Sequence, residues 1–301
     1  MRVLVTGAHG QLGREMTRVC AAAGDDVVAL GRDALDVGDR EQVMQQLGAV
    51  RPQVVLHAAA WTDVDGCETN PQRAYEINAM GSRNVAEAAA LVGARVVGVS
   101  TDYVFDGAGS GACGGGAYNE WDATGPISHY GRSKLGGEQE LLDILGPSAT
   151  VVRTSWVCGE HGSNFVKTMI RLARDGAAAS KIVTVVNDQH GTPTFTADLA
   201  GTIRALAVSR LPGRFHVSNG GPTTWYEVAR AVFAAAGEDA ARVHPVATAE
   251  LLPARPAPRP AYSVLDNAAL RACGIAALPH WQDRLPALVA ALRDRAAGPP
   301  R

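Results

Sequence analysis

The segment Arg2–Gly13, RVLVTGAHGQLG, decides the fold of this chain. An apolar run is followed at once by three glycines, Gly7, Gly10 and Gly13, and by the helical pattern of Leu12–Ala23. Glycines at this spacing allow a tight turn, a close approach of the backbone to a pyrophosphate and close packing of the helix on the strand. The helix N-terminus adds unpaired N–H groups and a partial positive charge that favour phosphates. We therefore predict a dinucleotide-binding unit here, with these glycines at the pyrophosphate.

The same alternation of strand and helix continues through the first half of the chain. Valine-rich runs without polar alternation predict strands covered on both faces at Arg2–Thr6, Asp26–Leu30, Gln53–Ala58, Arg95–Ser100 and Thr150–Thr154. Helical patterns lie between them at Leu12–Ala23, Arg40–Leu47, Pro71–Val92 and Tyr130–Leu145. This order predicts an α/β fold with a doubly wound parallel sheet of the Rossmann type. Functional side chains are then expected just after the strands, at their carboxyl ends.

The second half has a looser rhythm and is expected to form a smaller C-terminal α/β substrate domain. Further strands are predicted at Ile182–Val186 and Arg214–Val217. Further helices are predicted at Ala197–Val208, Thr224–Ala236, Asn267–Cys273 and Trp281–Ala297. The proline-rich run Leu252–Pro260 is expected to be extended, because proline interrupts helices. We assign residues 1–158 and 192–217 to the dinucleotide-binding domain, and residues 159–191 and 218–301 to the substrate domain.

Composition argues against several other classes of protein. A formal net charge of −2 argues against a nucleic-acid binder, whose affinity rests on clustered Lys and Arg. No stretch of about 18 apolar residues is free of charge, so no membrane-spanning helix is expected. The five cysteines are scattered and lack a C-x-x-C pair, which argues against a zinc site or a disulfide scaffold. We therefore expect a cytoplasmic enzyme.

The end of the second predicted strand indicates the type of dinucleotide. Sites that prefer NAD place an acid here to accept the ribose 2′-hydroxyl, but this chain has Gly31, followed by Arg32. A guanidinium is suited to a 2′-phosphate, so we predict NADPH as the cofactor. The alternative, that Arg32 only faces solvent and NADH also serves, stays open. Asp36 and Val37 are placed to contact the adenine ring. The small side chains that let a dinucleotide pass close to the third strand are Ala58, Ala59 and Ala60.

Three further side chains form a candidate reacting centre. Thr101 follows the fourth strand, and Tyr130 and Lys134 are four residues apart on one face of a predicted helix. A free phenol has a pKa near 10, and lowering that pKa by about 3 units requires roughly 4 kcal/mol. An ammonium group at about 4 Å supplies a similar amount at an effective dielectric constant of 20. We therefore expect Lys134, helped by an oxidised nicotinamide, to make Tyr130 a proton donor, while Thr101 bonds the same carbonyl oxygen.

Longer motifs carry a resemblance to a known family. They are TGAHGQLG at Thr6–Gly13, AAAWTDVD at Ala58–Asp65, STDYVFDG at Ser100–Gly107, YGRSK at Tyr130–Lys134, RTSWV at Arg153–Val157, NDQHGTPT at Asn187–Thr194 and RPAYSVLD at Arg259–Asp266. The set resembles the extended short-chain dehydrogenase/reductases and, more narrowly, the dTDP-4-dehydrorhamnose reductase family. The resemblance covers almost the whole chain.

The resemblance implies a reaction and assigns residues to it. It implies that NADPH reduces the 4-keto group of a dTDP-4-keto-6-deoxyhexose, with Thr101, Tyr130 and Lys134 at the catalytic positions. The positions that match cofactor contacts are Gly10, Gln11, Leu12, Ala59 and Ala60, and those that match sugar contacts are Thr62, Val64 and Trp156. We also assign to the substrate Asp102, beside Thr101, and Arg259, which with Ser263 matches the nucleotide grip of such enzymes. A homodimer is implied by the resemblance alone.

The chain also departs from the family's pattern. Some members hold a Mg²⁺ between subunits through carboxylates. Glu15 matches one such position, but Ala197 stands at the other with Asp198 beside it, so we expect no metal. The segment Gly107–Ala117 is unusually rich in glycine, and either a flap over the sugar site or a surface insertion would explain it.

An acidic group in the AAAWTDVD motif and the residues after it resembles a cation site. Asp63, Asp65 and Glu68 fail the spacing of a calcium-binding EF-hand loop. We therefore expect a solvated loop here.

Three functions are compatible with this pattern. The first is the reduction of dTDP-4-dehydro-L-rhamnose to dTDP-L-rhamnose. The second keeps the chemistry and changes the sugar, as in a dTDP-dihydrostreptose synthase, because few contacts separate similar sugars. The third is a non-catalytic subunit that binds NADP(H). The intact set of Thr101, Tyr130 and Lys134 favours an enzyme.

Overall fold

The computed structural model describes residues 1–110, 116–175 and 181–297, with side chains up to residue 293. Its strands are β1 (Arg2–Thr6), β2 (Asp26–Leu30), β3 (Val54–His57), β4 (Arg95–Thr101), β5 (Ala149–Thr154), β6 (Val157–Cys158), β7 (Val183–Val186), β8 (His190–Gly191), β9 (Thr194–Phe195), β10 (Gly213–His216), β11 (Thr223–Thr224) and β12 (Val243–Val246). Its α-helices are α1 (Gln11–Ala22), α2 (Arg40–Val50), α3 (Val64–Thr69), α4 (Pro71–Tyr75), α5 (Gly81–Val92), α6 (His129–Leu145), α7 (Phe165–Asp175), α8 (Thr196–Ser209), α9 (Trp225–Ala235), α10 (Ala268–Ala272) and α11 (Trp281–Ala297). The glycine-rich segment lies partly outside the described residues, at 111–115, and both interpretations of it stay open.

The central sheet confirms the predicted Rossmann-type α/β fold. Within the described ranges it has six strands in the order β10-β5-β4-β3-β1-β2, and every pairing is parallel. The chain moves from β1 to β2 on one side and then to β3 on the other. The strand order therefore reverses at β1, and the crevice beyond its carboxyl end is where such folds bind dinucleotides.

Strand β2 corrects one expectation. It was expected to be covered on both faces, yet Asp26 and Ala29 are exposed and the other residues are only half-buried. The reason is its position, because β2 is the last strand at one edge of the sheet. An edge strand has a neighbour on one side only, so fewer side chains cover it. A valine-rich run predicts a strand but not its place in the sheet.

Apolar clusters cover both faces of the central sheet. On one face, Met16 of α1 packs with Leu199 and Ile203 of α8. On the other face, Leu47 of α2 packs with the helices α5 and α6. Burying each such side chain contributes about 1.5–3 kcal/mol.

A third apolar cluster lies among the later helices and includes Val232 and Phe233 of α9. The division of the chain into two domains at the boundaries given above stays a prediction.

Helix α9 begins after Thr224, whose Oγ1 accepts a hydrogen bond from the Glu227 backbone N–H at 3.3 Å, as expected of an N-cap. The run Leu252–Pro260 contains neither helix nor strand.

None of the described helices has the length and apolar character needed to cross a bilayer.

Candidate active site

A cavity of about 230 Å³ lies beyond the carboxyl ends of β1 and β2. Its lining includes the predicted dinucleotide contacts Gly7, Gly10, Arg32, Asp36, Val37, Ala58, Ala59 and Ala60. The structure thus brings to one place the three segments that follow β1, β2 and β3. Their cofactor-binding roles stay predictions.

The glycine turn is packed too closely for any other residue. Gly7 has a φ of +64°, and an added Cβ would lie 2.8 Å from the backbone N of Ala59. A Cβ on Gly13 would lie 2.2 Å from the carbonyl oxygen of Gly7. The helix α1 therefore starts in direct contact with the turn, as a dinucleotide-binding unit requires.

The residue His9 was not predicted and lines the same cavity as Arg32. A Cβ on Gly31 would lie 2.2 Å from Nδ1 of His9, so the glycine leaves room for the imidazole ring. The Nδ1 atom is 3.3 Å from a carboxylate oxygen of Asp33. Position 31, where NAD-preferring sites carry an acid, thus lies beside the imidazole of His9 and the guanidinium of Arg32.

A second cavity of about 410 Å³ adjoins the first and shares Gly7, Gly10, Ala58 and Ala60 with it. Its lining brings together nearly all the other predicted site residues: Gln11, Leu12, Gly13, Thr62, Val64, Thr101, Asp102, Tyr130, Lys134 and Trp156. Arg259 and Ser263 do not line it. One groove therefore connects the glycine turn with the candidate reacting centre.

Local packing places Tyr130 and Lys134 in this groove. Ser128 caps α6 by accepting a hydrogen bond from the Gly131 N–H at 3.1 Å, which puts Tyr130 in the first turn and Lys134 one turn later. A Cβ on Gly131 would lie 2.1 Å from the carbonyl oxygen of Tyr103, so the glycine lets the helix start against the end of β4. The rings of Tyr103 and Tyr130 meet edge to face at 5.7 Å.

Burial sets the charge states of the two side chains. It lowers the pKa of Lys134 from 10.5 to about 8, and the nearby carboxylate of Glu138 opposes this. The Lys134 Nζ donates a hydrogen bond to the Val99 carbonyl oxygen at 2.7 Å.

In the protein without a dinucleotide, burial raises the pKa of Tyr130 above its ordinary value, and the expectation that Lys134 and an oxidised nicotinamide together lower it stays a prediction. The cause of the raised pKa is the desolvation of the phenolate, which a hydrogen bond with Thr101 only partly opposes. The phenol therefore keeps its proton, which is the form that a proton donor needs.

Thr101 and Asp102 form a buried hydrogen-bonded pair beside the phenol. The Thr101 hydroxyl donates to Asp102 Oδ1 at 3.0 Å, and the Ser263 hydroxyl donates to Asp102 Oδ2 at 2.5 Å. Burial raises the pKa of Asp102 to about 6, and these hydrogen bonds oppose the rise. Ser263, which the sequence assigned to the nucleotide, thus lies against the reacting centre and holds Asp102.

Trp156 lines the second cavity in an unusual backbone conformation. Its φ is +44°, which is rare for a bulky residue and costs about 1–3 kcal/mol. Its ring stacks on Trp225, which also lines the cavity and was not predicted. Backbone strain of this kind persists only where the surrounding structure enforces it.

Arg259 lies in an adjoining third cavity of about 440 Å³, together with Tyr103, Arg255 and Trp225. Its guanidinium donates two hydrogen bonds to the carboxylate of Asp65, at 2.6 and 2.8 Å. This hydrogen bonding holds the pKa of Asp65 below its usual value. The predicted nucleotide grip is therefore already paired with a carboxylate of the chain itself.

The expected solvated loop at Asp63, Asp65 and Glu68 is also wrong. These residues belong to the short helix α3 and its N-cap, where the Asp63 side chain accepts a hydrogen bond from the Gly66 N–H at 3.0 Å. Glu68 accepts a hydrogen bond from the His129 N–H at 3.0 Å. Local sequence could not show the partners of Asp65 and Glu68, because Arg259 and His129 come from distant segments.

Asn78 is a further residue that sequence reasoning missed. The helical run that begins at Pro71 contains a π-helical turn, Glu76–Met80, and Asn78 is buried within it. Its side chain accepts a hydrogen bond from the Trp61 N–H at 2.8 Å and donates to the Trp61 carbonyl oxygen at 3.0 Å. The π-helical turn thus fixes the loop that carries Ala58–Thr62.

Glu15 matches one of the family's metal positions and Asp198 stands beside the other, and both carboxylates are engaged by arginines of the chain. Glu15 pairs with Arg18 at 2.6 Å, and Asp198 pairs with Arg284 at 2.7 Å. Within the ranges described, no three His, Cys, Asp or Glu side chains are grouped so as to hold a metal ion.

Comparison with known proteins agrees with this geometry. Residues 1–294 match the family described as RmlD substrate binding domain. The chain is 44% identical to the dTDP-4-dehydrorhamnose reductase of Streptomyces griseus. The alignment covers 99% of this chain and 96% of the relative. The chain belongs to the dTDP-4-dehydrorhamnose reductase family.

Other members of this family show the same relationship. The dTDP-4-dehydrorhamnose reductase of Mycobacterium tuberculosis is 43% identical, over 96% of this chain and 93% of the relative. A crystal structure of the dTDP-4-dehydrorhamnose reductase of Bacillus anthracis in complex with NADP superimposes with a TM-score of 0.88. It is 39% identical and covers 96% of this chain and 98% of that one.

Proposed function

We propose that this protein uses NADPH to reduce the 4-keto group of dTDP-4-dehydro-L-rhamnose, forming dTDP-L-rhamnose. The observation that carries the proposal is the single cavity lined by Gly10, Thr101, Tyr130, Lys134 and Trp156. Family membership at 44% identity supports the same reaction. It favours an enzyme over a subunit without activity.

The residues present fit a dinucleotide that carries a 2′-phosphate. The glycine turn admits a pyrophosphate, and Arg32 and His9 border the place of the ribose hydroxyl. When bound, NADPH supplies a hydride to C4 of the sugar. The protonated phenol of Tyr130 gives its proton to the carbonyl oxygen, which completes the reduction to an alcohol. Lys134 then stabilises the phenolate that remains.

The substrate's parts match the linings of the two further cavities. An indole at Trp156 is suited to the apolar face and methyl group of a deoxysugar. The adjoining cavity, with Arg255 and Arg259, is suited to the diphosphate and the nucleoside. Arg259 would share its hydrogen bonds between Asp65 and the diphosphate.

An assay of turnover tests the proposal. The protein is incubated with dTDP-4-dehydro-L-rhamnose and either NADPH or NADH, and the loss of reduced nicotinamide is followed with identification of the product. We expect dTDP-L-rhamnose, with a lower KM for NADPH. A panel of other dTDP-4-keto sugars is run in parallel. If none of the sugars is reduced, the proposal that this protein is a reductase is wrong. If another sugar is preferred, the proposed substrate is wrong.

The proposal includes a homodimer and a cytoplasmic location. Cys20, Cys67, Cys158 and Cys273 are free thiols, which is consistent with a reducing compartment. Light scattering at several protein concentrations would show whether the mass is that of two chains. Cell fractionation with an antibody would give the location, and recovery from the membrane or extracellular fraction would contradict it.

A further inference from the structure

The strained conformation of Trp156 is enforced from both sides along the chain. The Ser155 hydroxyl donates a hydrogen bond to the Thr192 carbonyl oxygen at 2.7 Å. The Trp156 carbonyl oxygen accepts one from the Thr194 N–H at 3.2 Å, and Val157 pairs with Thr194 in the β6–β9 ladder. The backbone at Trp156 is thus fixed against the segment 192–194.

The indole of Trp156 is held by two further contacts. The ring stacks on that of Trp225, with centroids 3.7 Å apart and planes 11° from parallel. Gly191 lies against the same indole, because a Cβ on it would be 2.4 Å from Cε2 and 2.5 Å from Cζ2 of Trp156. A side chain of any size at position 191 would therefore have to displace this ring.

The fold brings these two contacts together. Gly191 of β8 pairs with Thr223 of β11, and Trp225 begins α9 two residues later. The Trp225 ring also meets that of Phe165, with centroids 4.5 Å apart. The position of Trp156 is therefore set by the small β8–β11 sheet and by the start of α9. Both lie outside the six-stranded sheet, which carries Thr101.

We propose that Trp225 and Gly191 are positioning residues for the sugar: together they hold the Trp156 indole as a fixed wall of the reacting cavity. The inference rests on the proposed function, because it assigns to that wall the apolar face of the deoxyhexose. A preformed wall removes the entropy loss of ordering a tryptophan when the sugar binds.

The test measures the sugar's own share of binding. Isothermal titration calorimetry gives the Kd of dTDP-L-rhamnose and of dTDP for the NADP-loaded protein, and the ratio of the two isolates the sugar. Gly191→Ala moves the Trp156 ring without removing a side chain. Gly201→Ala is its matched control, because Gly201 is an exposed helical glycine with nothing within 4 Å of an added Cβ. Trp225→Leu removes the stack, and Trp225→Phe keeps an aromatic ring there.

We expect Gly191→Ala to weaken dTDP-L-rhamnose binding about tenfold and dTDP binding less than twofold. Trp225 also lines the cavity proposed for the diphosphate and nucleoside, so Trp225→Leu should weaken both ligands, and dTDP-L-rhamnose about tenfold more than dTDP. Gly201→Ala should change neither Kd. Trp225→Phe should keep most of the difference in affinity between dTDP-L-rhamnose and dTDP. An unchanged ratio in the first two variants, or an equal loss for dTDP, would overturn the inference. If the wild-type protein itself binds dTDP-L-rhamnose no better than dTDP, the proposed function fails instead.

Discussion

The dinucleotide end and the sugar end of the groove are built in different ways. The dinucleotide end is lined mainly by the glycine turn, small side chains, His9 and Arg32, from the segments that follow the strands β1, β2 and β3. The sugar end depends on indoles and an arginine that come from segments far apart in the chain. The first is specified by local sequence, and the second by long-range contacts. Substitutions at the two ends should therefore affect different steps of binding and catalysis.

The largest effect is expected where the two ends meet. Tyr130→Phe removes the proton donor and should lower kcat about 10³-fold, because general acid catalysis contributes on that order. The dinucleotide end should be unaffected, with the Kd for NADPH within twofold of wild type. Steady-state NADPH oxidation and a fluorescence titration measure the two quantities. Retention of full activity would remove Tyr130 from its proposed role.

The next effect should be confined to the dinucleotide end. Gly13→Ala places a Cβ 2.2 Å from the Gly7 carbonyl oxygen and should move the turn. We expect the Kd for NADPH to rise tenfold or more and the free energy of unfolding to fall by about 1–3 kcal/mol. Gly48→Ala is the control, since Gly48 is also helical but has open space around it. Equal effects of the two substitutions would show that packing at the turn is not the cause.

A smaller effect should separate the two nicotinamide cofactors. Arg32→Ala removes a guanidinium from the first cavity and should raise the KM for NADPH about tenfold while leaving the KM for NADH unchanged. The KM for the sugar nucleotide should stay the same. A parallel rise for NADH would mean that Arg32 does not distinguish the 2′-phosphate.

The smallest effect concerns the ion pair at the sugar end. Asp65→Asn weakens the bonds to Arg259 and should lower the free energy of unfolding by about 1 kcal/mol at neutral pH. Because the pKa of Asp65 is lowered in the folded protein, its contribution is complete above the ordinary value of about 3.9. It is lost as the pH falls through the lower, folded pKa, where the native carboxylate takes up a proton.

Urea denaturation of wild type and variant across this acid range measures the difference. Asp63→Asn is the control, because Asp63 caps α3 and asparagine caps helices equally well. A stability difference between wild type and Asp65→Asn that does not shrink in acid would contradict this account.

The two ends also differ in how far the sequence predicts them. Gly7, Gly10 and Gly13 follow a strand directly, and Tyr130 and Lys134 share a helix face, so local spacing was sufficient to place them in one groove. Gly191 and Trp225 carry no local signal of their contact with Trp156. Their roles follow from pairing between short strands, which no pattern along the chain predicts.

Burial was the other quantity that the sequence left open. The strand β2 is rich in valine, as its covered neighbours are, but lies at an edge. Likewise, the spacing of Tyr130 and Lys134 suggested a lowered phenol pKa, whereas desolvation raises it. Both differences arise because solvent exposure depends on the whole fold.

The pairing of Arg259 with Asp65 also has a consequence for the order in which the molecule is made. The two residues are 194 positions apart. During synthesis from the N-terminus, the glycine turn, Tyr130 and Lys134 all emerge from the ribosome well before Arg259. The length of this loop adds little to the free-energy cost of closing it, because the entropic cost of loop closure grows only with the logarithm of length. The pairing of Arg259 with Asp65 can therefore form only after the residues of the dinucleotide end have been synthesised.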